Sequence, residues 1–447
     1  MFEQYATSLE VNDLEAVLNR FGEITKRLNL SFYELEGDSE THGHVVGSLG
    51  RKTAISGFSD LDMLFVLPKE LKKQYDNHDG NGQSKLLQRV KKEIKKRYPK
   101  TIVRGDGQVV VVSFESINKI IEVCPAFERS DEAYDYPDSN NGGSWKKTDP
   151  FPEIEKSIET IEDTNSNFKY VCHMVRAWKN NVGFKFGGLL IDTLVYNFFQ
   201  AYPIYKEATF DNYLALLKDL FCYLKNRNAE QSYWYALGSN QKVYNKKGTF
   251  VGKASTVYEK IKDLTEESED LYDNLQEIFG KDFPVPETVQ ETAAVYRSLF
   301  AQKARQTEEF IEKKFRVDAR YALKIDCKVK QDGFREKLLR TMLRDKTPLK
   351  SQKSLEFFIV ENEFDRLNSD RDDPHEYLQY DVYWKVLNRG EEAVKRDMIR
   401  GQIVKDYGNQ RKTETTNFKG EHYVECYIVY RNICVARDKI KVPIQTF

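Results

Sequence analysis

Two aspartates separated by one residue carry the strongest chemical signal in this sequence. Asp60 and Asp62 lie in the otherwise apolar run 60–67, whose composition is typical of a strand. Alternate residues of a β-strand point to the same face, so both carboxylates project together. Two like charges on such a face are costly unless a cation compensates them. Because Mg²⁺ prefers carboxylate and phosphate oxygens, the pair predicts a divalent metal site.

A glycine–serine pair precedes the two aspartates. Gly47 and Ser48 follow the short strand candidate 44–46 and open the segment 47–57, which is rich in Gly, Ser and Thr. Such small residues let backbone N–H groups approach phosphate oxygens closely and donate hydrogen bonds to them. The pair therefore predicts a turn that holds a triphosphate.

A third carboxylate completes the pattern. Glu122 lies in the β-branched run 119–124, which predicts another strand. We expect Glu122 to join Asp60 and Asp62 as a metal ligand and to act as base for an attacking 3′-hydroxyl. Two cations held in this way would clamp the attacking hydroxyl and the leaving pyrophosphate of an in-line displacement. The whole pattern favours nucleotidyl transfer, whereas an isolated Asp-x-Asp pair is more often part of a solvated strand face.

Composition limits the other possibilities. The chain has 447 residues, of which 69 are basic and 70 acidic, so no global charge indicates a nucleic-acid or membrane partner. The six cysteines are scattered without zinc spacing, which favours reduced thiols. No signal peptide is recognisable, and no apolar run approaches the roughly 20 residues of a membrane span. We therefore expect a cytoplasmic protein with no membrane association, whose direct binding to nucleic acid stays open.

Hydrophobic spacing indicates the elements that position these residues. Helices are predicted at 14–28, 84–98, 153–163, 167–181, 187–200, 210–226, 254–279 and 286–314. Strands are predicted at 44–46, 60–67, 102–103, 109–114, 119–124, 319–330, 355–361, 380–387, 421–430 and 433–442, with the fifth ending at Pro125. A connecting loop is predicted at 228–253, a linker at 331–354 and a short helix at 391–400.

This order of elements predicts an α+β fold with a separate small β-rich domain in its C-terminal part. The predicted domains are a catalytic lobe at 1–165, a helical lobe at 166–334 and a β-rich domain at 335–447.

The Gly47-Ser48 and Asp60-Leu61-Asp62 motifs resemble those of the polymerase-β-like nucleotidyltransferases. More narrowly, the segments 45–67, 121–127 and 187–192 resemble bacterial cGAS/DncV-like nucleotidyltransferases (CD-NTases), and this similarity covers about residues 1–330. The segments 380–390 and 420–427 are similar to the adenylyl/guanylyl cyclase and SMODS C-terminal sensor (AGS-C) domain, over about residues 345–447.

The resemblance implies a bilobal core, which combines a mixed sheet with a helical lobe, and it also implies a reaction and a set of site residues. The Gly-Ser turn would hold the donor NTP, and Asp60 and Asp62 would hold Mg²⁺ or Mn²⁺. Lys179 would reach the phosphates, with Arg176 on the same side of the helix at i, i+3. Family members commonly carry Asp where this chain has Glu122, so the acceptor site is expected to differ in its details.

Two further features carry alternatives. Asp192 lies within an apolar helix, where we expect it to bond a neighbouring loop or a basic side chain; support of the nucleotide pocket is the alternative. The basic helix 84–98 favours a solvated face over a groove for an anionic ligand, because its charges alternate with an apolar stripe.

The sequence thus predicts a metal-dependent enzyme that joins NTPs into a cyclic or linear oligonucleotide messenger. By resemblance, the messenger would act on a separate effector protein in anti-phage defence, and the C-terminal domain would bind a regulatory ligand. Two alternatives remain at this point. One is a template-independent enzyme that acts on an RNA or protein acceptor, and the other is a catalytically degenerate nucleotide sensor.

Overall fold

The structure is a computed structural model that describes residues 1–12, 14–57, 60–245, 248–286, 308–330, 335–369, 378–388, 391–395, 400–416 and 420–445. The chain divides into two compact units. The N-terminal unit contains Phe2–Arg176 and Gly187–Lys262, and the C-terminal unit contains Met1, Ala177–Phe186 and Asp263–Phe447. The domain limits at residues 165 and 334 remain predictions.

The N-terminal unit combines helices with one large sheet and a hairpin. Its helices are α1 (Phe2–Ser8), α2 (Glu15–Tyr33), α3 (Gly47–Gly50), α4 (Lys69–Asp76), α5 (Gly82–Arg97), α6 (Pro150–Asp163), α7 (Asn167–Val182), α8 (Gly188–Ala201), α9 (Tyr213–Lys225) and α10 (Thr249–Ile261). Of α7, only the part up to Arg176 belongs to this unit. Its strands are β1 (Gly43–Val45), β2 (Asp60–Val66), β3 (Ile102–Asp106), β4 (Val109–Phe114), β5 (Lys119–Glu128), β6 (Tyr134–Asp138), β7 (Ser144–Thr148), β8 (Tyr233–Tyr235) and β9 (Lys242–Tyr244).

The large sheet is mixed and has two unlike faces. Its order is β1-β2-β5-β4-β3, in which β2 and β5 are parallel and the other neighbours antiparallel. Strand β6 pairs antiparallel with the end of β5 and with β7. One face carries Leu61, Met63 and Ile121, which are fully buried in a core with α2 and α5. The alternation of side chains sends the acidic residues of β2 and β5 to the other face.

The C-terminal unit is rich in strands. Its helices are α11 (Leu271–Phe279), α12 (Ile311–Lys314), α13 (Leu339–Arg344), α14 (Glu363–Ser369) and α15 (Glu391–Lys395). Its strands are β10 (Arg316–Val317), β11 (Leu323–Lys330), β12 (Lys337–Leu338), β13 (Leu349–Lys350), β14 (Ser354–Asn362), β15 (Asp381–Leu387), β16 (Ile403–Lys405), β17 (Arg411–Thr415), β18 (Gly420–Tyr430) and β19 (Ile433–Gln445). They form one sheet of order β10-β19-β18-β15-β16, with β13 on β19, and another of order β12-β11-β14-β17. The predicted α+β class, with a β-rich C-terminal region, is confirmed.

The predicted end of the fifth strand at Pro125 is wrong, because β5 continues to Glu128. Pro125 pairs with Phe65 of β2 on one side. On the other side the neighbour changes here, from β4, whose last pair is Val110 with Val123, to β6, whose first pair is Phe127 with Asp135. A residue without an N–H is tolerated at this point because no ladder hydrogen bond is required of it.

Other predicted elements also need correction. The single helix at 254–279 is two helices, α10 and α11, because the N–H of Thr265 donates to the hydroxyl of Ser268 in a turn between them. The predicted loop 228–253 contains the β8–β9 hairpin, and the predicted linker 331–354 contains α13. Residues 287–307 of the predicted helix 286–314 and residues 396–399 of the predicted helix 391–400 lie outside the described residues. No described helix meets the length and hydropathy that a membrane crossing requires.

Candidate active site

Three carboxylates meet on the open face of the large sheet. Asp60 and Asp62 lie on β2, and Glu122 lies on the parallel neighbour β5, directly beside Asp62 in the register. One carboxylate oxygen from each of the three residues lies within 4.8 Å of the others, and all three side chains are partly exposed. The structure therefore brings the predicted acidic triad together. Its role as a metal site stays a prediction.

The Gly-Ser turn lies against this triad. The N–H of Val46 donates to the carbonyl of Asp62 at 2.9 Å, and the one-turn helix α3 begins at the next residue. Gly47 adopts φ +64°, a conformation that L side chains rarely adopt, and a Cβ there would lie 1.8 Å from Oδ2 of Asp62. Only glycine fits this position, because the turn requires both a left-handed backbone and direct contact with a carboxylate of the triad. Ser48 follows at the N-terminal end of α3.

Further polar residues share the face of the triad. The register places Val111 of β4 beside Glu122, and Arg104 of β3 beside Val111, so Arg104 projects to the same side as Glu122. Ser113 lies in the row of Ile120 and Asp60 and projects to that side as well. Neither residue could be identified from the sequence pattern, since only the strand register puts them on the face of the triad.

Cys124 also lies close to the acidic residues. Burial, assisted by the negative charges of Asp62 and Glu122, raises the pKa of its thiol to about 12. In the absence of a bound cation, the thiol therefore stays protonated near neutral pH.

A buried ionic cluster lies directly after the turn. Asp192 of α8 is fully buried and accepts hydrogen bonds from Nε of Arg51 and Oγ1 of Thr53, each at 2.9 Å, and from Nη2 of Arg176 at 3.0 Å. Burial opposes ionisation, but Arg176 and Arg51 lower the pKa of Asp192 to about 2. As the sequence predicts, Asp192 bonds a neighbouring loop and basic side chains. Arg51 and Thr53 were missed, although they lie within the segment 47–57 that was predicted as a turn.

The two basic residues predicted to bind phosphate have protein partners. Arg176 pairs with Asp192, with Nη1 at 2.6 Å from Oδ1. Lys179 belongs to the C-terminal unit, where its ammonium donates to Asp318 at 3.1 Å and to the carbonyl of Ala319 at 3.0 Å. Burial tends to raise the pKa of Asp318, but the positive charge of Lys179 keeps this pKa below its ordinary value. The phosphate-binding role of both residues stays a prediction.

Two family models match this chain. Residues 1–160, which contain the turn and the triad, match the Second Messenger Oligonucleotide or Dinucleotide Synthetase (SMODS) domain. Residues 305–445 match the Adenylyl/Guanylyl and SMODS C-terminal sensor domain. A curated relative, a probable cyclic nucleotide synthase of Bacillus cereus (strain VD146), is 24% identical over 275 residues, which cover 53% of this chain and 81% of the relative.

Two of the solved structures that match part of this chain are of bacterial proteins. The CdnC:HORMA-deltaN complex of E. coli MS115-1 gives a TM-score of 0.46 at 15% identity, covering 64% of this chain and 96% of that chain. Vibrio cholerae DncV, a cyclic AMP-GMP synthase in complex with the linear intermediate 5′ pppA(3′,5′)pG, gives a TM-score of 0.45 at 13% identity, covering 64% and 86%.

Proposed function

We propose that this chain, a cGAS/DncV-like nucleotidyltransferase with a C-terminal AGS-C sensor domain, joins nucleoside triphosphates into an oligonucleotide second messenger, either cyclic or linear. One observation carries the proposal: the triad of Asp60, Asp62 and Glu122 lies against the Gly47 turn, within the matched SMODS segment. A carboxylate cluster beside a small-residue turn suits a reaction between a triphosphate and a hydroxyl.

The donor set of the triad fits hard divalent cations. Three carboxylates within 4.8 Å of one another repel in the absence of positive charge, and their oxygens are the ligands that Mg²⁺ or Mn²⁺ takes. We infer that Asp60, Asp62 and Glu122 would hold these ions. A bound cation would neutralise charge on the triphosphate and make the acceptor hydroxyl more acidic.

The residues of the chain have separate tasks in this reaction. The turn at Gly47 and Ser48 offers backbone N–H groups to the triphosphate of the donor. The acceptor 3′- or 2′-hydroxyl loses its proton to Glu122, forms a bond to the α-phosphorus, and the bond to the departing pyrophosphate breaks. Arg104 and Ser113, on the same face, would orient the acceptor nucleotide. Repeated transfer extends the product.

The family matches support a proposal for the wider role. We propose a cytoplasmic enzyme whose product activates a separate effector protein in anti-phage defence. The AGS-C domain, named as a sensor, would bind a regulatory ligand and control the enzyme. Lys179 and Arg176 remain candidates for binding phosphate, if their present partners release them.

The test is product formation from each NTP and dNTP, singly and mixed, with Mg²⁺ or Mn²⁺ and with phosphatase treatment of the products. We expect a phosphatase-resistant product from the wild type and none from the double variant Asp60→Asn/Asp62→Asn. Asp135→Asn is the matched control, because Asp135 is a buried carboxylate of the same unit that pairs with Lys72 and Arg129.

The other outcomes separate the alternatives. Labelling that appears only when RNA or protein is added would replace messenger synthesis with transfer to a macromolecule. Nucleotide binding without pyrophosphate release, even after addition of lysate from phage-infected cells, would leave a sensor that has lost catalysis.

A further inference from the structure

The residues that follow the Gly-Ser turn are fixed by a carboxylate from a distant helix. Both oxygens of Asp192 are engaged: Oδ2 accepts from Arg51, Thr53 and Arg176, and Oδ1 lies 2.6 Å from Nη1 of Arg176. Arg176 also donates to Oγ1 of Thr53 at 3.1 Å and to the carbonyl of Gly188 at 3.2 Å. Residues of α7 and α8 thus bond the side chains of Arg51 and Thr53.

The same two residues are bonded through their backbone to the turn. The N–H of Arg51 donates to the carbonyl of Gly47 at 3.1 Å, and the N–H of Thr53 donates to the carbonyl of Ser48 at 2.9 Å. A shift of either residue would therefore disturb these hydrogen bonds and, with them, the turn whose backbone N–H groups face a triphosphate in the proposed function. Asp192 lies two hydrogen bonds away from them and does not belong to the triad.

The charges of the cluster balance only when Asp192 is ionised. Two arginines, Arg51 and Arg176, face two acids, Asp192 and Glu153, and each of the four side chains is at most 8% exposed. Glu153 is the weaker partner, with Oε2 at 3.9 Å from Nη1 of Arg51 and Oε1 accepting from the hydroxyl of Ser239. Loss of the Asp192 charge would leave a buried positive charge beside the turn, and such a charge is strongly unfavourable.

We propose that Asp192 is a positioning residue for nucleotidyl transfer: it sets the affinity for the triphosphate by fixing the Gly-Ser turn through Arg51 and Thr53. This inference rests on the proposed function, in which that turn holds the donor. A purely structural role for the cluster would change stability and leave the affinity of the folded protein unchanged.

The test uses the full chain and four variants, Asp192→Asn, Thr53→Val, Thr53→Ser and the control Asp135→Asn. Calorimetric titration measures the dissociation constants for inorganic tripolyphosphate, ATP and Mn²⁺, and thermal melting measures stability. We expect Asp192→Asn to raise the dissociation constant for tripolyphosphate and the KM for NTP at least about tenfold, with a smaller change in kcat and no change in Mn²⁺ binding.

Thr53 separates positioning from loss of folding. Thr53→Val keeps the shape and removes the hydroxyl, so it should weaken tripolyphosphate binding, whereas Thr53→Ser keeps the hydroxyl and should restore it. Asp135→Asn should lower the melting temperature without changing the affinity. If Asp192→Asn fails to fold, the comparison of Thr53→Val with Thr53→Ser decides the question.

Four results bear on the outcome. The positioning role is overturned if folded Asp192→Asn binds tripolyphosphate as tightly as the wild type does. It is also overturned if Thr53→Val and Thr53→Ser bind tripolyphosphate equally well. A wild-type protein that binds neither tripolyphosphate nor ATP overturns it too, together with the proposed function. A wild-type protein that binds both but makes no product, while the variants bind more weakly, retains the positioning role and contradicts only the proposed function.

Discussion

Replacement of Gly47 by alanine should separate the cost of backbone strain from the cost of disturbing the triad. A Cβ at Gly47 would lie 1.8 Å from Oδ2 of Asp62, whereas ordinary van der Waals contact begins at 3.4 Å, so the two groups must separate by 1.6 Å. Misplacement of a catalytic group by about 1 Å can cost about 100-fold in rate, and we therefore expect kcat to fall by at least about that factor.

The strain itself has a smaller effect. Alanine at φ +64° should lose about 1–2 kcal/mol of unfolding free energy, because the left-handed conformation crowds Cβ against the carbonyl oxygen. Gly37 is the matched control: it has φ +74°, and no described atom lies within 4 Å of its added Cβ. Gly37→Ala should lose similar stability and keep its activity.

The assay combines denaturant unfolding, Mn²⁺ titration and product formation for Gly47→Ala, Gly37→Ala and the wild type. We expect Gly47→Ala to be destabilised at least as much as Gly37→Ala, because its steric clash adds to the shared backbone strain, and only Gly47→Ala to lose Mn²⁺ affinity and activity. If Gly47→Ala retains full activity, or if Gly37→Ala loses as much of it, contact between the turn and the triad is not what requires glycine.

Three further predictions concern the acidic residues. Glu122→Gln should abolish product formation, whereas Glu122→Asp should keep Mn²⁺ binding and part of the rate, because the carboxylate is retained. Initial rates test this: equal activity of the two variants would contradict the role of Glu122 as ligand and base. Asp60→Asn/Asp62→Asn should melt no lower than the wild type without divalent ions, since like charges are removed, and should lose the rise in melting temperature that Mn²⁺ gives the wild type. The pKa of Asp192 is about 2 in the folded protein against an ordinary 3.8, so its ionised form stabilises the fold above pH 3.8, and this contribution is lost as the pH falls towards 2. The difference in unfolding free energy between the wild type and Asp192→Asn should therefore be constant above that window and shrink within it.

The triad was predictable because its signal is local. An Asp-x-Asp pair on an apolar strand and an isolated Glu within a β-branched run each conflict with burial, and such a conflict marks a functional site. The parallel pairing that sets Asp62 beside Glu122 was not readable from the sequence, because register depends on contacts between distant strands. The positions of Arg104 and Ser113 on the same face were hidden for that reason.

The acidic partners of the basic residues could not be predicted from the local sequence. Helical spacing puts Arg176 and Lys179 on one side of α7, but it does not say which acids they meet. Asp318 lies 139 residues from Lys179 in the sequence. Asp192, in contrast, was noticed as a charge in an apolar helix, and the expectation that it bonds a loop and basic groups is confirmed. A buried charge in the sequence indicates that a hydrogen-bond or ion-pair partner is present, but not which residue that partner is.

The position of α7 limits how this protein can be divided into fragments. Its residues from Ala177 onwards belong to the same compact unit as the C-terminal half of the chain. There Lys179 meets Asp318, Asn181 donates to the carbonyls of Glu277 and Ile278, and a Cβ at Gly183 would collide with Arg437. A fragment that stops before residue 263 keeps this stretch of helix but removes every one of these partners, so buried groups become exposed. The N-terminal half is therefore a poor candidate for isolated expression, and deletion of the segment matched by the C-terminal family model would also remove partners of α7.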